Sequence, residues 1–119
     1  MEFRIVRHTH RFDEACNFWG ELLGFPVAKE WPAGDGQGRG RIFGYGDVGR
    51  IELIEQDTPA GAVEGVFLAL EVRSAEVAHD ALAAAGIAVS TPLAVQPWGH
   101  RNFGVTDPSG LDVTFFEIL

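Results

Sequence analysis

The chain has 119 residues, 46% hydrophobic and 22% charged, the size and composition of one globular domain that buries a core of its own. Seventeen acidic against nine basic side chains leave a net charge of -8, a field that repels polyanions, excludes nucleic acid as an expected partner and favours cations on average. No apolar run approaches the ~20 residues of a membrane span, no basic-then-hydrophobic leader opens the chain, so the cytoplasm is the expected address, and Cys16 as the only cysteine excludes an internal disulfide or a cysteine-rich zinc site.

Phe3–Arg7 alternates and predicts a first strand, with Phe3 and Ile5 on one face and Arg4 and Val6 on the other. His8 and His10 follow; an H-x-H pair puts both imidazoles on one side, but no third ligand lies nearby, and the stretch reads as a polar strand end leading into the helix, with Thr9 or nearby residues capping it. From Phe12 to Leu23, Phe12, Ala15, Cys16, Trp19, Leu22 and Leu23 recur at helical spacing, which predicts an amphipathic helix closed by Gly24 and the apolar Phe25. Trp19 and Cys16 lie in that stripe and are read as core, the thiol inert.

Strands are predicted at Pro26–Trp31, Arg41–Tyr45 and Arg50–Glu55. The glycine-rich run between Trp31 and Arg41 reads as a mobile flap whose Asp35 and Arg39 can meet a ligand; it lacks the G-x-x-x-x-G-K-S/T pattern of a phosphate loop. In Ile51–Glu55 the apolar Ile51 and Leu53 suit a helix-covered face, which turns Glu52 and Ile54 the other way. After the connector Gln56–Gly65 come a strand at Val66–Val72 and a helix from Ala75 to Ala85. That helix is expected to pack through Val77, Ala78, Ala81, Leu82 and Ala85, with His79 on its solvent side. Strands at Ala88–Val95, Arg101–Thr106 and Asp112–Ile118 complete the chain; in the last, Val113 and Phe115 face the helix and Thr114 and Phe116 face away.

The order β-α-β-β-β occurs twice. Arg41-x-Phe43-Gly44-x-x-Asp47 recurs as Arg101-x-Phe103-Gly104-x-x-Asp107, and Ile51–Glu55 lies over Val113–Glu117, so an internal repeat is the better reading. The expected fold is therefore α+β: two tandem βαβββ modules forming curved mixed sheets around a cleft, helices on the outer face. It is one domain over residues 1–119, with module one at about 1–56, the connector at 56–65 and module two at about 66–119.

Phe18-Trp19-Gly20-Glu21-Leu22-Leu23-Gly24-Phe25, together with Trp98-Gly99-His100-Arg101-Asn102-Phe103 and Asp107-Pro108-Ser109-Gly110, resembles the vicinal oxygen chelate superfamily. That group contains glyoxalases, extradiol dioxygenases and bleomycin-resistance proteins. The resemblance implies a metal held by one residue from the first and one from the fourth strand of each module, positions that fall here on Arg4, Glu52, Phe67 and Thr114. Of these only Glu52 is a good donor, so no metal and no cofactor are expected, and an ion pair between Arg4 and Glu52 is expected in their place. The resemblance further implies a homodimer of bleomycin-resistance type that sequesters a small aromatic or cationic molecule such as an antibiotic. Its expected ligand-binding residues are Arg4, Trp31, Glu52, Phe67, Trp98, His100, Arg101, Thr114 and Phe116, with Trp31 and Trp98 as stacking walls and Phe43 and Phe103 as core. The alternatives are a metal-dependent lyase or dioxygenase, or a metal-free isomerase using Glu52 as base.

Overall fold

The alternating and helical patterns resolve into strands β1 (Phe3–Thr9), β2 (Val27–Trp31), β3 (Gly40–Tyr45) and β4 (Gly49–Glu55) in the first half, with helix α1 (Phe12–Cys16) and a π-helical continuation (Asn17–Leu22) between β1 and β2. The second half repeats the order with β5 (Leu68–Glu71), α2 (Ala75–Ala84), β6 (Val89–Val95), β7 (His100–Thr106) and β8 (Asp112–Ile118). A computed structural model describes residues Met1–Leu119. The fold is α+β and consists of two βαβββ modules, which form the compact units Met1–Gly61 and Ala62–Leu119.

Each module holds one mixed four-stranded sheet, ordered β1-β4-β3-β2 in the first and β5-β8-β7-β6 in the second. The first strand pairs parallel with the fourth in both, while the others pair antiparallel. Parallel pairing requires a crossover, and the helix supplies it. In module one the register sets Ile5 beside Ile51 and Val6 beside Glu52; in module two it sets Leu68 beside Val113 and Ala69 beside Thr114. The register of the first strand against the fourth is thus the same in both modules, whereas the third strand is shifted by two residues against the fourth: Phe43 pairs with Ile51, but Phe103 pairs with Phe115 and not with Val113.

The core of module one is Phe12, Ala15, Phe18, Trp19, Phe43 and Leu53, all at 4% exposure or less. Module two is closed by Leu82, Phe103, Val105, Val113 and Phe115, all at 1% or less. Full burial of each such side chain is worth roughly 1.5–3 kcal/mol. Phe43 and Phe103 occupy equivalent places, as their common motif predicts.

Three local expectations change. The first helix is not α throughout: Leu23 N–H donates to the Phe18 carbonyl at 3.2 Å, a π-type bond, before Gly24, at φ 73°, ends the helix. Gly20 sits so close to Phe43 that an added Cβ would stand 3.0 Å from the ring, so the helix and β3 meet along a bare backbone. The wider turn buries adjacent Phe18 and Trp19 completely, whereas a straight α-helical stripe leaves Phe18 out. The second helix is rotated about its axis from the predicted face. Ala75 and Leu82 are buried, Val77 is 69% exposed, Ala81 and Ala85 are exposed, and His79 packs edge-on against Phe103 at 5.3 Å. Alanines and a single valine carry too little apolar area to set the rotation; Leu82 and the imidazole edge do. Finally, Thr9 does not cap the helix; its Oγ1 accepts from Arg11 N–H at 2.9 Å, while Arg11 occupies the N-cap without a side-chain bond. The Ser74 hydroxyl caps α2 by accepting from Val77 N–H at 3.2 Å.

Candidate functional site

Strand alternation gives each sheet one face against its helix and one face away from it. On the away face of module one, Arg4 reaches diagonally across the parallel pair and donates from Nη1 to Glu52 Oε1 at 2.7 Å. The Glu52 side chain is 11% exposed, so the carboxylate is nearly dry and Arg4 supplies its countercharge. Arg4 also bonds Glu2, and Arg50 Nε lies 3.5 Å from the same Glu2. Hydrogen bonds that Arg4 donates to the Glu2 carboxylate first, and then to Glu52, hold its guanidinium above its usual range; the Arg4 bond likewise lowers Glu2.

Arg4 and Glu52 share a cavity of about 350 Å³ with Lys29, Trp31, Gln37 and Ile42. Trp31 lies flat across the opposing strand because position 40 is glycine: a Cβ there would stand 1.9 Å from the indole Cζ2. Gly38 is equally constrained, since a Cβ would meet the Glu55 carbonyl oxygen at 2.1 Å. The glycine-rich run is therefore in close contact with its neighbours at positions 38 and 40. It folds back at Asp35 and Gly36, both left-handed (φ 52° and 76°), with reciprocal Gly34 and Gln37 backbone bonds of 3.0 and 2.9 Å. Arg39 turns to the helix side, where it donates to Glu55 at 2.6 Å and to Asp13 at 3.0 Å and lies 4.7 Å above the Phe12 ring, so it does not line the cavity.

Module two presents a cavity of about 420 Å³ on its own away face. Its aromatic wall is Phe67, Trp98, His100 and Phe116, with the His100 and Phe116 rings stacked at 4.9 Å and 15°. Ala69, Thr91 and Thr114 fill the floor, and the amides of Gln96 and Asn102 bond each other at 3.0 Å. No Asp, Glu, Lys or Arg lines it. The loop Gln96–Gly99 is held by Gly99 N–H to the Gln96 carbonyl at 3.1 Å and Gln96 N–H to the His100 carbonyl at 2.6 Å, which puts Trp98 at the rim, 65% exposed.

Of the residues singled out from sequence, the structure brings Arg4, Trp31 and Glu52 together in the first cavity, and Phe67, Trp98, His100, Thr114 and Phe116 in the second. Arg101 is with neither. It belongs to the helix-side alternation of β7 with Phe103, its Nη1 3.6 Å from Glu117 Oε2, and Glu117 in turn accepts from Ala75 N–H at 3.0 Å at the start of α2. The Asp107-Pro108-Ser109-Gly110 turn is also architectural: Asp107 Oδ1 accepts from Ser109 N–H, Ser109 Oγ and Leu111 N–H at 2.7–2.9 Å. Sequence reasoning missed Lys29, Gln37 and Ile42 in one cavity and Ala69, Thr91, Gln96 and Asn102 in the other. Alternation alone places Lys29 with Trp31 and Asn102 with His100, two residues apart on the same strand face.

The positions that hold a metal in the family suggested by the motifs do not fit one here. Arg4 carries a positive charge, Phe67 has no donor, Thr114 offers a neutral hydroxyl, and Glu52 already receives the Arg4 guanidinium. Nowhere do three or more His, Cys, Asp or Glu side chains gather into a group that could hold a metal ion. His8 and His10 are both exposed and have no third ligand beside them. No helix is long and apolar enough to cross a membrane.

A family model described as the Glyoxalase/Bleomycin resistance protein/Dioxygenase superfamily matches residues 4–115. Among solved structures, TioX from Micromonospora sp. ML1 superposes with a TM-score of 0.77 at 20% identity, covering 100% of this chain and 99% of that one. TnmS3, an antibiotic binding protein from Streptomyces sp. CB03234, gives 0.77 at 20% identity with 100% and 96% covered. A lactoylglutathione lyase from Agrobacterium tumefaciens gives 0.73 at 18% identity with 98% and 92% covered. No curated protein matches the chain. At these identities the likenesses show a shared fold, and that fold carries both a binder and an enzyme.

Proposed function

Because the chain belongs to the glyoxalase/bleomycin resistance protein/dioxygenase superfamily, we propose that it binds and sequesters a small aromatic molecule, of the antibiotic type, by enclosure and without metal chemistry. The observation that carries this reading is the set Arg4, Glu52, Phe67 and Thr114, in which the one good oxygen donor is hydrogen bonded at 2.7 Å to a fixed positive charge. What remains on the two away faces is suited to holding flat apolar surface: indoles at Trp31 and Trp98 and the stacked pair His100 and Phe116. A cationic ligand finds less support than the acidic sequence suggests. Glu52 is neutralised by Arg4 and accompanied by Lys29, and the second cavity has no carboxylate. The working form is a homodimer in the cytoplasm, as in the bleomycin-resistance type that the motifs resemble. The likeness to TnmS3 supports the antibiotic reading by analogy of fold.

The test is a titration of the purified protein with aromatic antibiotics, followed by tryptophan fluorescence, with recovery of the ligand for mass spectrometry and metal analysis of the same sample. Saturable quenching, weakened in Trp98→Ala, with chemically unchanged ligand and no stoichiometric metal is the expected result. Turnover of the ligand, or a divalent metal at one per chain, overturns the reading. Light scattering checks the dimer.

A further inference from the structure

The module-two cavity contains one polar feature that enclosure of an aromatic does not require. Gln96 and Asn102 bond each other at 3.0 Å through one amide nitrogen and one amide oxygen. The pair therefore keeps one unused carbonyl oxygen and one unused NH2 group. This count holds whichever amide donates, because exchanging oxygen and nitrogen in both side chains leaves the same remainder. No other protein group takes these atoms, and neither is sealed away from solvent as a buried orphan. That one bond ties the two amides to each other, and the remainder is one acceptor and one donor, one on each side chain.

The position of this pair relates it to the aromatic wall. Asn102 is the direct cross-strand neighbour of Phe116, whose ring is stacked on His100, two residues before Asn102 on the same strand face. A planar ligand lying on Phe116 brings its edge to the Asn102 and Gln96 amides. With no charged Asp, Glu, Lys or Arg in the lining, an ion entering the cavity gives up hydration with no countercharge to replace it.

Building on the proposal that the protein holds an aromatic molecule, we infer that the module-two cavity selects neutral planar aromatics whose edge bears both a hydrogen-bond donor and an acceptor. Carboxamides, lactams and hydroxy-carbonyl arenes have that edge. Gln96 and Asn102 read it, and Phe67, Trp98 and Phe116 supply the apolar surface. A carboxylate is disfavoured because its two acceptors face the amide carbonyl as well as the NH2.

The experiment compares three probes of one size by calorimetry: 2-naphthamide, with donor and acceptor; 2-acetylnaphthalene, with the acceptor alone; and 2-naphthoate, an anion. The naphthamide is expected to bind at least about ten-fold more tightly than either of the others, the effect of one or two well-placed neutral hydrogen bonds. In Asn102→Leu and in Gln96→Leu the ratio of naphthamide to acetylnaphthalene affinity is expected to fall to about one. A urea-unfolding midpoint and a near-ultraviolet dichroism spectrum matching the parent show that each variant remains folded, and a ratio that stays at the parent's value in such a variant overturns the inference. Binding of all three probes with equal affinity, or tightest binding of the naphthoate, overturns this inference and leaves the aromatic-binding reading standing. Absence of binding by any probe in the parent protein overturns both.

Discussion

Arg4 and Glu52 show what one ion pair decides in this protein. Glu52 is held almost dry by an arginine that is itself 38% exposed, so the pair is half-screened and its loss costs less than that of a fully buried one. Arg4→Met removes the hydrogen-bonded charge from the Glu52 carboxylate and is expected to lower the urea-unfolding midpoint, with Arg4→Met/Glu52→Gln milder because the orphan charge is gone. Gly40 is the second deciding residue. Gly40→Ala places a methyl inside the volume of the Trp31 indole, so the ring must move; a loss of about 1–3 kcal/mol with an altered near-ultraviolet dichroism signal is expected. An unchanged spectrum argues that Trp31 does not lie where the structure puts it.

At the scale of elements, α2 offers a direct test of which face it buries. Leu82 is fully buried and Val77 is 69% exposed, so Leu82→Ala is expected to cost about 2–5 kcal/mol and Val77→Ser to stay within about 0.5 kcal/mol. The reverse order would restore the face predicted from periodicity. Between β4 and α1, the Arg39 guanidinium is held above its usual range by Glu55 first and Asp13 second, and the Arg39 bond lowers Glu55. A carboxylate depressed in the folded state stabilises above its unfolded-state range, and that contribution is lost as pH falls through its folded value. Glu55→Gln is therefore expected to flatten the acid limb of the stability curve while leaving the neutral-to-basic limb parallel to that of the parent. Chemical denaturation across the acid range reads this directly.

Across the whole molecule, the same βαβββ plan carries two different surfaces. Module one sets charges at the site, Arg4, Lys29 and Glu52, whereas module two has aromatics and amides, so duplication preserved the frame and not the chemistry. The frame resides in the helix-facing positions. Phe43 and Phe103 occupy equivalent cores at 1% and 0% exposure, and Phe43→Ala and Phe103→Ala are each expected to cost about 3–5 kcal/mol by thermal or urea unfolding. A small effect at either one would break the equivalence of the modules.

The eight strands, and the turning of Glu52, Thr114 and Phe116 away from the helix-covered faces, were legible in the sequence by itself. Period-two alternation is a local property of the backbone, so it can be read without knowing which strand lies alongside. The rotation of α2, the π-helical turn at Phe18 and Trp19, and the orientation of Arg39 and Arg101 toward the helices depended on tertiary structure. Each is set by which distant side chain fills a space: Phe103 against His79, Phe43 against Gly20, Glu55 and Glu117 against the two arginines. Periodicity along the chain carries no information about a partner that arrives from elsewhere in the fold.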